Sequence, residues 1–220
     1  MRLTEVVNTN RRKVFEMDEL LKNMNPEKRD RIINASLEEF GNNTFDKAST
    51  NNIVKNAGIS KGLLFHYFEN KKGLRDYLEK YVIKTVISTL QNELDWEETD
   101  FFNRLKQIAL IKGRLTYRFP YIFKFFTSLI ESMDYDALLK YREDFAPGLM
   151  EKIYTHNIDY TKFKAGLDME KTMKIINWVI EKYSLDLLDT LKKTKGTWDY
   201  PKINQEFEEY MDILREAFYR

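Results

Sequence analysis

Apolar residues in this chain recur every three to four positions, the spacing of helices with one buried face, and strand-like alternation between hairpin turns is absent from it. Asn25-Pro26-Glu27 opens the first clear run with a capping side chain, a proline at the first helical position and an acid at the positive end of the dipole. Ile32/Ile33, Ser36/Leu37 and Phe40 follow on one face, and Gly41 is expected to stop the run. A short segment over 49–57 turns Ile53, Val54 and Ala57 inward, Gly58 interrupts it, and Ser60 opens a second short helix that ends at Phe68. Asn70 caps a longer helix with Leu74, Leu78, Tyr81/Val82, Thr85 and Leu90 on one stripe. Further helices are predicted at about 98–117, 120–132, 135–156, 168–193 and 201–218, with breaks at Pro120, at Pro147 and between Gly196 and Pro201. The class is all-α.

Composition agrees with that pattern and removes several chemistries. The 32% of charged residues, with only 4 prolines and 8 glycines in 220 residues, suits helices better than a turn-rich fold. The lack of cysteine excludes disulfides, thiolate metal sites and cysteine nucleophiles. No apolar run approaches the roughly 18–20 residues of a membrane span, and the first residues lack the apolar stretch of a signal peptide. A cytoplasmic protein with no membrane partner is expected. There are 2 histidines, and no phosphate-cradling glycine loop or metal-spaced His/Glu set accompanies them. Glu38/Glu39 and Glu97/Glu98 are neighbours on helices, pointing about 100° apart, so neither pair forms a shared site. No catalytic residue, metal or cofactor is expected. Charge is uneven: residues 1–75 hold 14 Lys/Arg against 10 Asp/Glu, and the remainder 22 against 25. That sign suits a front end that meets phosphate.

The informative stretch runs from Ser49 to Phe68: two short helices joined by a tight turn. Gly58 can take the left-handed conformation that ends the first helix, Ile59 pins the turn and Ser60 caps the second helix. Ile53, Ala57, Ile59, Leu64 and Phe68 can share a core, leaving Lys61, Leu63, Phe65, His66 and Tyr67 pointing outwards or sideways. A helix-turn-helix of this kind lays its second helix in the major groove, N-terminal residues towards the bases. The aromatic side chains of Phe65, His66 and Tyr67, expected to be exposed, are costly unless they contact something. His66 and Tyr67 can donate to phosphate oxygens, with Lys61 and Lys71 adding charge-assisted contacts.

The run AGIS-KG-LL-FHYF-ENKKGL resembles the DNA-binding signature of TetR-type repressors, over about residues 26–75. The resemblance implies that Ser49, Thr50 and Asn51 open the first helix of the motif against the DNA backbone. It implies that Lys61, Gly62 and Leu63 meet bases or nearby phosphates, and that Phe65, His66, Tyr67 and Lys71 clamp the sugar–phosphate chain. Phe65 stands where the family usually has a tyrosine, and Leu63 replaces a commoner small hydroxyl residue, so Leu63 can read a thymine methyl by apolar contact. The division expected is an arm or leader at 1–24, a three-helix DNA-binding domain at 25–75 and a larger helical ligand-binding and dimerisation domain at 76–220.

The last two predicted helices are apolar on more than one face, which requires cover on both sides. TetR-type proteins dimerise through their final two helices, and the residues expected to serve are Ile180, Leu187, Leu191, Phe207, Met211 and Leu214. The middle of the chain is rich in aromatic residues. The resemblance implies a ligand cavity there, and Tyr117, Phe123, Phe126, Met133, Tyr154 and Trp178 are its candidate lining, with an apolar or aromatic effector. Arg114, Arg118 and Lys124 could meet a carboxylate on it. The expected partners are therefore double-stranded operator DNA, a second copy of the chain and a small molecule. The rivals are a nucleoid or cell-cycle factor that answers no ligand, and an interaction module that no longer binds DNA.

Overall fold

The computed structural model describes residues 21, 23–130, 144, 146–194 and 199–220. Nine α-helices lie among the described residues: α1 Pro26–Asn42, α2 Thr50–Ala57, α3 Lys61–Phe68, α4 Lys71–Glu93, α5 Phe101–Arg118, α6 Ile122–Ile130, α7 Leu149–Thr155, α8 Met169–Thr194 and α9 Tyr200–Phe218. The predicted caps at Asn25, Ser49 and Ser60 form, each side-chain oxygen accepting a main-chain N–H of the first turn. Asn70 likewise accepts from the Gly73 N–H at 2.9 Å. Helix α1 runs one residue past Gly41, so that glycine does not stop it; a Cβ there would lie in van der Waals contact, 3.4 Å from the Phe125 nitrogen. The helix expected over 135–156 is broken, because Gly148 adopts φ +65° and α7 starts only at Leu149.

Contacts divide the described chain into two compact units. The first unit takes the residues up to 86 and those from 115 to 130. Its core joins Ile32, Ile33, Leu37 and Phe40 of α1, Ile53 and Ala57 of α2, and Leu64 and Phe68 of α3 with Leu74, Leu78 and Val82 of α4. Phe119, Ile122, Phe125 and Leu129 complete it. Each of these side chains apart from Ala57 contributes roughly 1.5–3 kcal/mol by leaving water. Leu21 and Met24, from the expected leader, are buried in the same core; the rest of that leader lies outside the described residues apart from Asn23.

A polar row flanks this core. Asp30, Asn34, Glu38 and Asn42, one helical turn apart on α1, each meet the segment 118–124. Arg118 Nε donates to Asp30 at 2.8 Å, the Asn34 amide to the Arg118 carbonyl at 3.0 Å, Tyr121 Oη to Glu38 at 3.0 Å and Lys124 Nζ to Asn42 at 2.5 Å. Burial and the neighbouring Glu38 carboxylate both raise the Tyr121 phenol above its ordinary value, which keeps it the donor.

The second unit takes residues 87–114 and those from 144 onwards. Phe101, Phe102, Phe163 and Tyr219 pack ring on ring, and Ile176, Phe207, Met211 and Leu214 close the core. Two charges are built into it. Asp100 accepts both arms of the Arg215 guanidinium at 2.9 and 2.8 Å, with Lys162 at 3.3 Å. Arg104 is fully buried and serves main-chain carbonyls: His156 at 2.5 Å, Ile153 and Trp96 at 3.4 Å, and Glu98. Two of those carbonyls belong to the C-terminal end of α7, where a cation is favoured.

Candidate nucleic-acid interface

The turn between α2 and α3 is built as its sequence requires. Gly58 sits at φ 65°, ψ 41°, a left-handed conformation that a Cβ would disfavour, and its N–H returns to α2 carbonyls. The Ile59 N–H donates to the Val54 carbonyl at 3.0 Å, which sets the entry to α3. Leu64 and Phe68 then face the core with 0% exposure, while Lys61, Gly62 and His66 are exposed and Leu63 is half-buried. Glu69, at φ 60°, ends the helix, and the Asn70 N–H donates to the Phe68 carbonyl at 2.6 Å across it. That three-residue turn is strained for a residue with a side chain.

The structure redistributes several of the roles expected on this face. Phe65 and Tyr67 are half-buried and pack against the core of the first unit, so only His66 of the aromatic run is exposed. The cost foreseen for three exposed aromatics is therefore met mostly within the chain. His66 stands edge-on to Tyr67, ring centroids 5.2 Å apart. Lys61 donates to Asn51 Oδ1 at 3.1 Å and lies 5.8 Å from the centre of the Phe65 ring. Lys71 donates to the Asp46 carbonyl at 3.2 Å and sits 4.8 Å over Phe45, which Arg75 flanks at 5.8 Å. Phe45 stacks in turn on Phe40. Lys71 thus holds the turn ahead of α2. Ser49 and Thr50 are half-buried and Asn51 is exposed, all at the start of α2.

Sequence reasoning missed Glu39. Its carboxylate is buried, accepts the Ser49 N–H at 2.7 Å, and also meets the side-chain amides of Asn52 and Asn43, both at 3.3 Å. It therefore braces the start of α2 from the core side. The available signal was an acid on the apolar stripe beside Phe40. Glu38, its neighbour, turns instead to Tyr121, as the angle between adjacent helical residues demands.

Comparison with known proteins bears on this arrangement. The sequence model described as bacterial regulatory proteins, tetR family, matches residues 32–78, which contain most of α1, all of α2 and α3 and the start of α4. Residues 32–78 are thus similar in sequence to the DNA-binding region of tetR-family regulators. The HTH-type transcriptional regulator BetI of Pectobacterium carotovorum subsp. carotovorum is 35% identical over 90 residues, 41% of this chain and 46% of that protein. BetI of Yersinia pestis (strain Pestoides F) is 31% identical over 71 residues, 32% of this chain and 36% of that protein. The chain thus spans less than half the length of these curated relatives. A TetR family transcriptional regulator from Chloroflexus aurantiacus has the same fold, with a TM-score of 0.55 at 22% identity over 92% of this chain and 98% of that one. A second from Shewanella sp. PV-4 gives 0.50 at 18% identity, over 89% and 100%. The fold likeness extends beyond residues 32–78 to the helical remainder of the chain.

The other candidate residues are dispersed. Tyr117 is exposed, and Phe123 and Phe126 pack on the core of the first unit. Tyr154 belongs to the periphery of the second unit's core, where its hydroxyl meets Asn177 at 2.5 Å, and Trp178 is 62% exposed. Met133 lies outside the described residues. Of these five described residues, Tyr117, Phe123 and Phe126 belong to the first unit and Tyr154 and Trp178 to the second. Arg118 and Lys124 are engaged by α1, and Arg114 pairs with Glu93 at 2.5 Å, so the chain itself occupies the three cations once available to a carboxylate. On the last two helices, Phe207, Met211 and Leu214 are buried in the second unit's own core, Ile180 packs against it and Leu187 is half-buried. The Leu191 side chain is outside the described residues. Among the described residues, the large apolar side chains that α8 and α9 expose are others: Ile175, Trp178, Leu185, Tyr210 and Ile213. A groove of about 460 Å³ runs between these helices past Trp178, Tyr183, Leu187 and Tyr210. Among the described residues no cluster of His, Cys, Asp and Glu could hold a metal, and no helix is long and apolar enough to cross a membrane.

Proposed function

We propose that this protein is a transcriptional regulator that binds a palindromic operator as a homodimer and leaves it when a small molecule occupies the second unit. The observation that carries this reading is the face of α3: its inner side is locked into the core by Leu64 and Phe68, and its N-terminal outer side offers Lys61, Gly62 and Leu63. A helix so fixed and so presented matches the geometry of a recognition helix entering a major groove. Lys61, His66, Tyr67 and Lys71 supply donors around it, Ser49, Thr50 and Asn51 approach from α2, and Phe65 supports Lys61 rather than meeting phosphate itself.

Dimerisation is supported by exposed apolar surface. Trp178 and Ile213 are 62% and 63% exposed, and Ile175, Leu185 and Tyr210 add to the same two helices. A second copy covering that surface would remove it from water and provide the two reading heads that a palindrome needs. The face lies on the side of α8 and α9 that leaves Phe207, Met211 and Leu214 in the core. The effector reading rests on the aromatic content of the second unit and on the family; release follows when the ligand favours a dimer shape that fits the operator poorly.

The test is selection of genomic fragments by the purified protein at two salt concentrations. A palindromic motif bound tightly in both supports the proposal. Weak binding that salt erases, without a motif, overturns it and favours an interaction module.

A further inference from the structure

We propose that Asn51 and Lys61 form a single guanine-reading unit, an inference that rests on the operator-binding reading and names what that surface selects. The two residues stand in the first turns of α2 and α3, both exposed, with Lys61 Nζ 3.1 Å from Asn51 Oδ1. An asparagine that reads adenine uses both ends of its amide: Nδ2 donates to N7 while Oδ1 accepts from the N6 amino group. In this structure Oδ1 already faces an ammonium. An adenine amino group brought to the same oxygen would set a donor against a cation. What the pair still offers outward is donors only, the Asn51 amide hydrogens and the remaining hydrogens of Lys61. Guanine presents two acceptors, N7 and O6, on its major-groove edge, whereas adenine and cytosine each present an amino donor there. The pair therefore matches guanine, and it penalises adenine through a repulsive contact rather than a merely absent one.

Two neighbours favour the arrangement. Phe65 lies under the ammonium, 5.8 Å from it, so Lys61 is held from two sides and loses less rotamer freedom when DNA arrives. Gly62, with open space where a Cβ would stand, leaves the edge beside Lys61 clear for a base.

The experiment is selection from random duplexes by the full chain, as wild type, Lys61→Met and Asn51→Ala, with melting curves to confirm that each variant is folded. Lys61→Met keeps an apolar stem over Phe65 and frees Asn51 Oδ1. The wild type is expected to require a guanine in each half-site, with adenine there weakening binding about tenfold. Lys61→Met is expected to move that position to adenine, and Asn51→Ala to flatten the preference for guanine. A wild-type motif with no guanine dependence, or an unchanged guanine preference in Lys61→Met, overturns the inference while leaving operator binding intact. Should Lys61→Met bind nothing, Asn51→Ala decides, and full retention of guanine discrimination overturns the pair. A wild type that selects no motif at all refutes the operator reading itself.

Discussion

Replacing Gly62 by alanine should strengthen the fold and weaken DNA binding, two effects of opposite sign from one methyl group. Glycine in a helix costs up to about 1 kcal/mol relative to alanine, largely through the freedom of the unfolded chain. Gly62 is the second residue of α3, has no left-handed backbone and would place a Cβ within 4 Å of nothing. Nothing within the folded chain therefore asks for glycine. Because the site lies in the first turn, the gain from alanine is about 0.5 kcal/mol, which raises the melting midpoint by about 1–2 °C in a chain of this size. If the residue is there to let a base or sugar come close, the added methyl must push that contact away. An overpacked contact costs about 1–3 kcal/mol, so affinity for a selected operator should fall about tenfold or more. Melting by circular dichroism and titration of a labelled operator by fluorescence anisotropy read the two quantities separately. A higher midpoint with unchanged affinity would refute the claim that DNA approaches Gly62, and a lower midpoint would refute the open space inferred around it.

Phe125→Ala should destabilise the first unit by about 3–5 kcal/mol and abolish operator binding, since Phe125 is fully buried against Phe40; a variant with a native melting curve would contradict its place in that core. Trp178→Glu should shift the proposed dimer to monomer in sedimentation without lowering its helix content, whereas an unchanged dimer mass would refute α8 and α9 as its interface. Arg215→Met should cost about 3 kcal/mol, the low end for a broken buried pair because Arg215 is partly exposed and Lys162 remains beside Asp100. Burial works to raise the Asp100 carboxyl, but hydrogen bonds from Arg215 and the Asn103 N–H, with the attraction of Arg215, outweigh it and leave the group below its ordinary value. The wild type therefore gains stability from this carboxylate above the unfolded pKa of about 3.9 and loses it as pH falls through the lower folded value. Arg215→Met should lose less stability across that acid window, and parallel acid-denaturation curves for the two proteins would show the pairing to be inert.

The helix-turn-helix was legible because its signals are local. Asn25, Ser49, Ser60 and Asn70 each cap a helix within three residues of themselves, and Gly58 declares the turn without reference to anything distant. The same locality explains the misreading of Phe65 and Tyr67. Period alone placed them on the outer side of a short helix, but both rings are partly buried against the core of the first unit, which the period of one helix does not show.

What the sequence could not supply was the destination of each apolar face. Phe119, Phe123, Phe125 and Phe126 share composition and period with Phe101, Phe102 and Tyr154, yet the first group serves the core of the head and the second the core of the other unit. The deciding contacts join Asp30, Asn34, Glu38 and Asn42 to residues 82 to 88 positions later, a separation at which no propensity or cap carries information. The row at four-residue spacing was visible as one polar stripe on α1; that it had a partner was not. Such half-exposed polar pairs are each worth only a few tenths of a kcal/mol to about 1 kcal/mol. The buried side chains of Phe119, Ile122, Phe125 and Leu129 therefore dominate the energy that holds 118–130 to the head, and the polar row fixes the register in which they pack. A first unit cut at residue 75 would keep every local motif of the helix-turn-helix and still lose Leu78, Val82 and the side chains of 119–129 from its core.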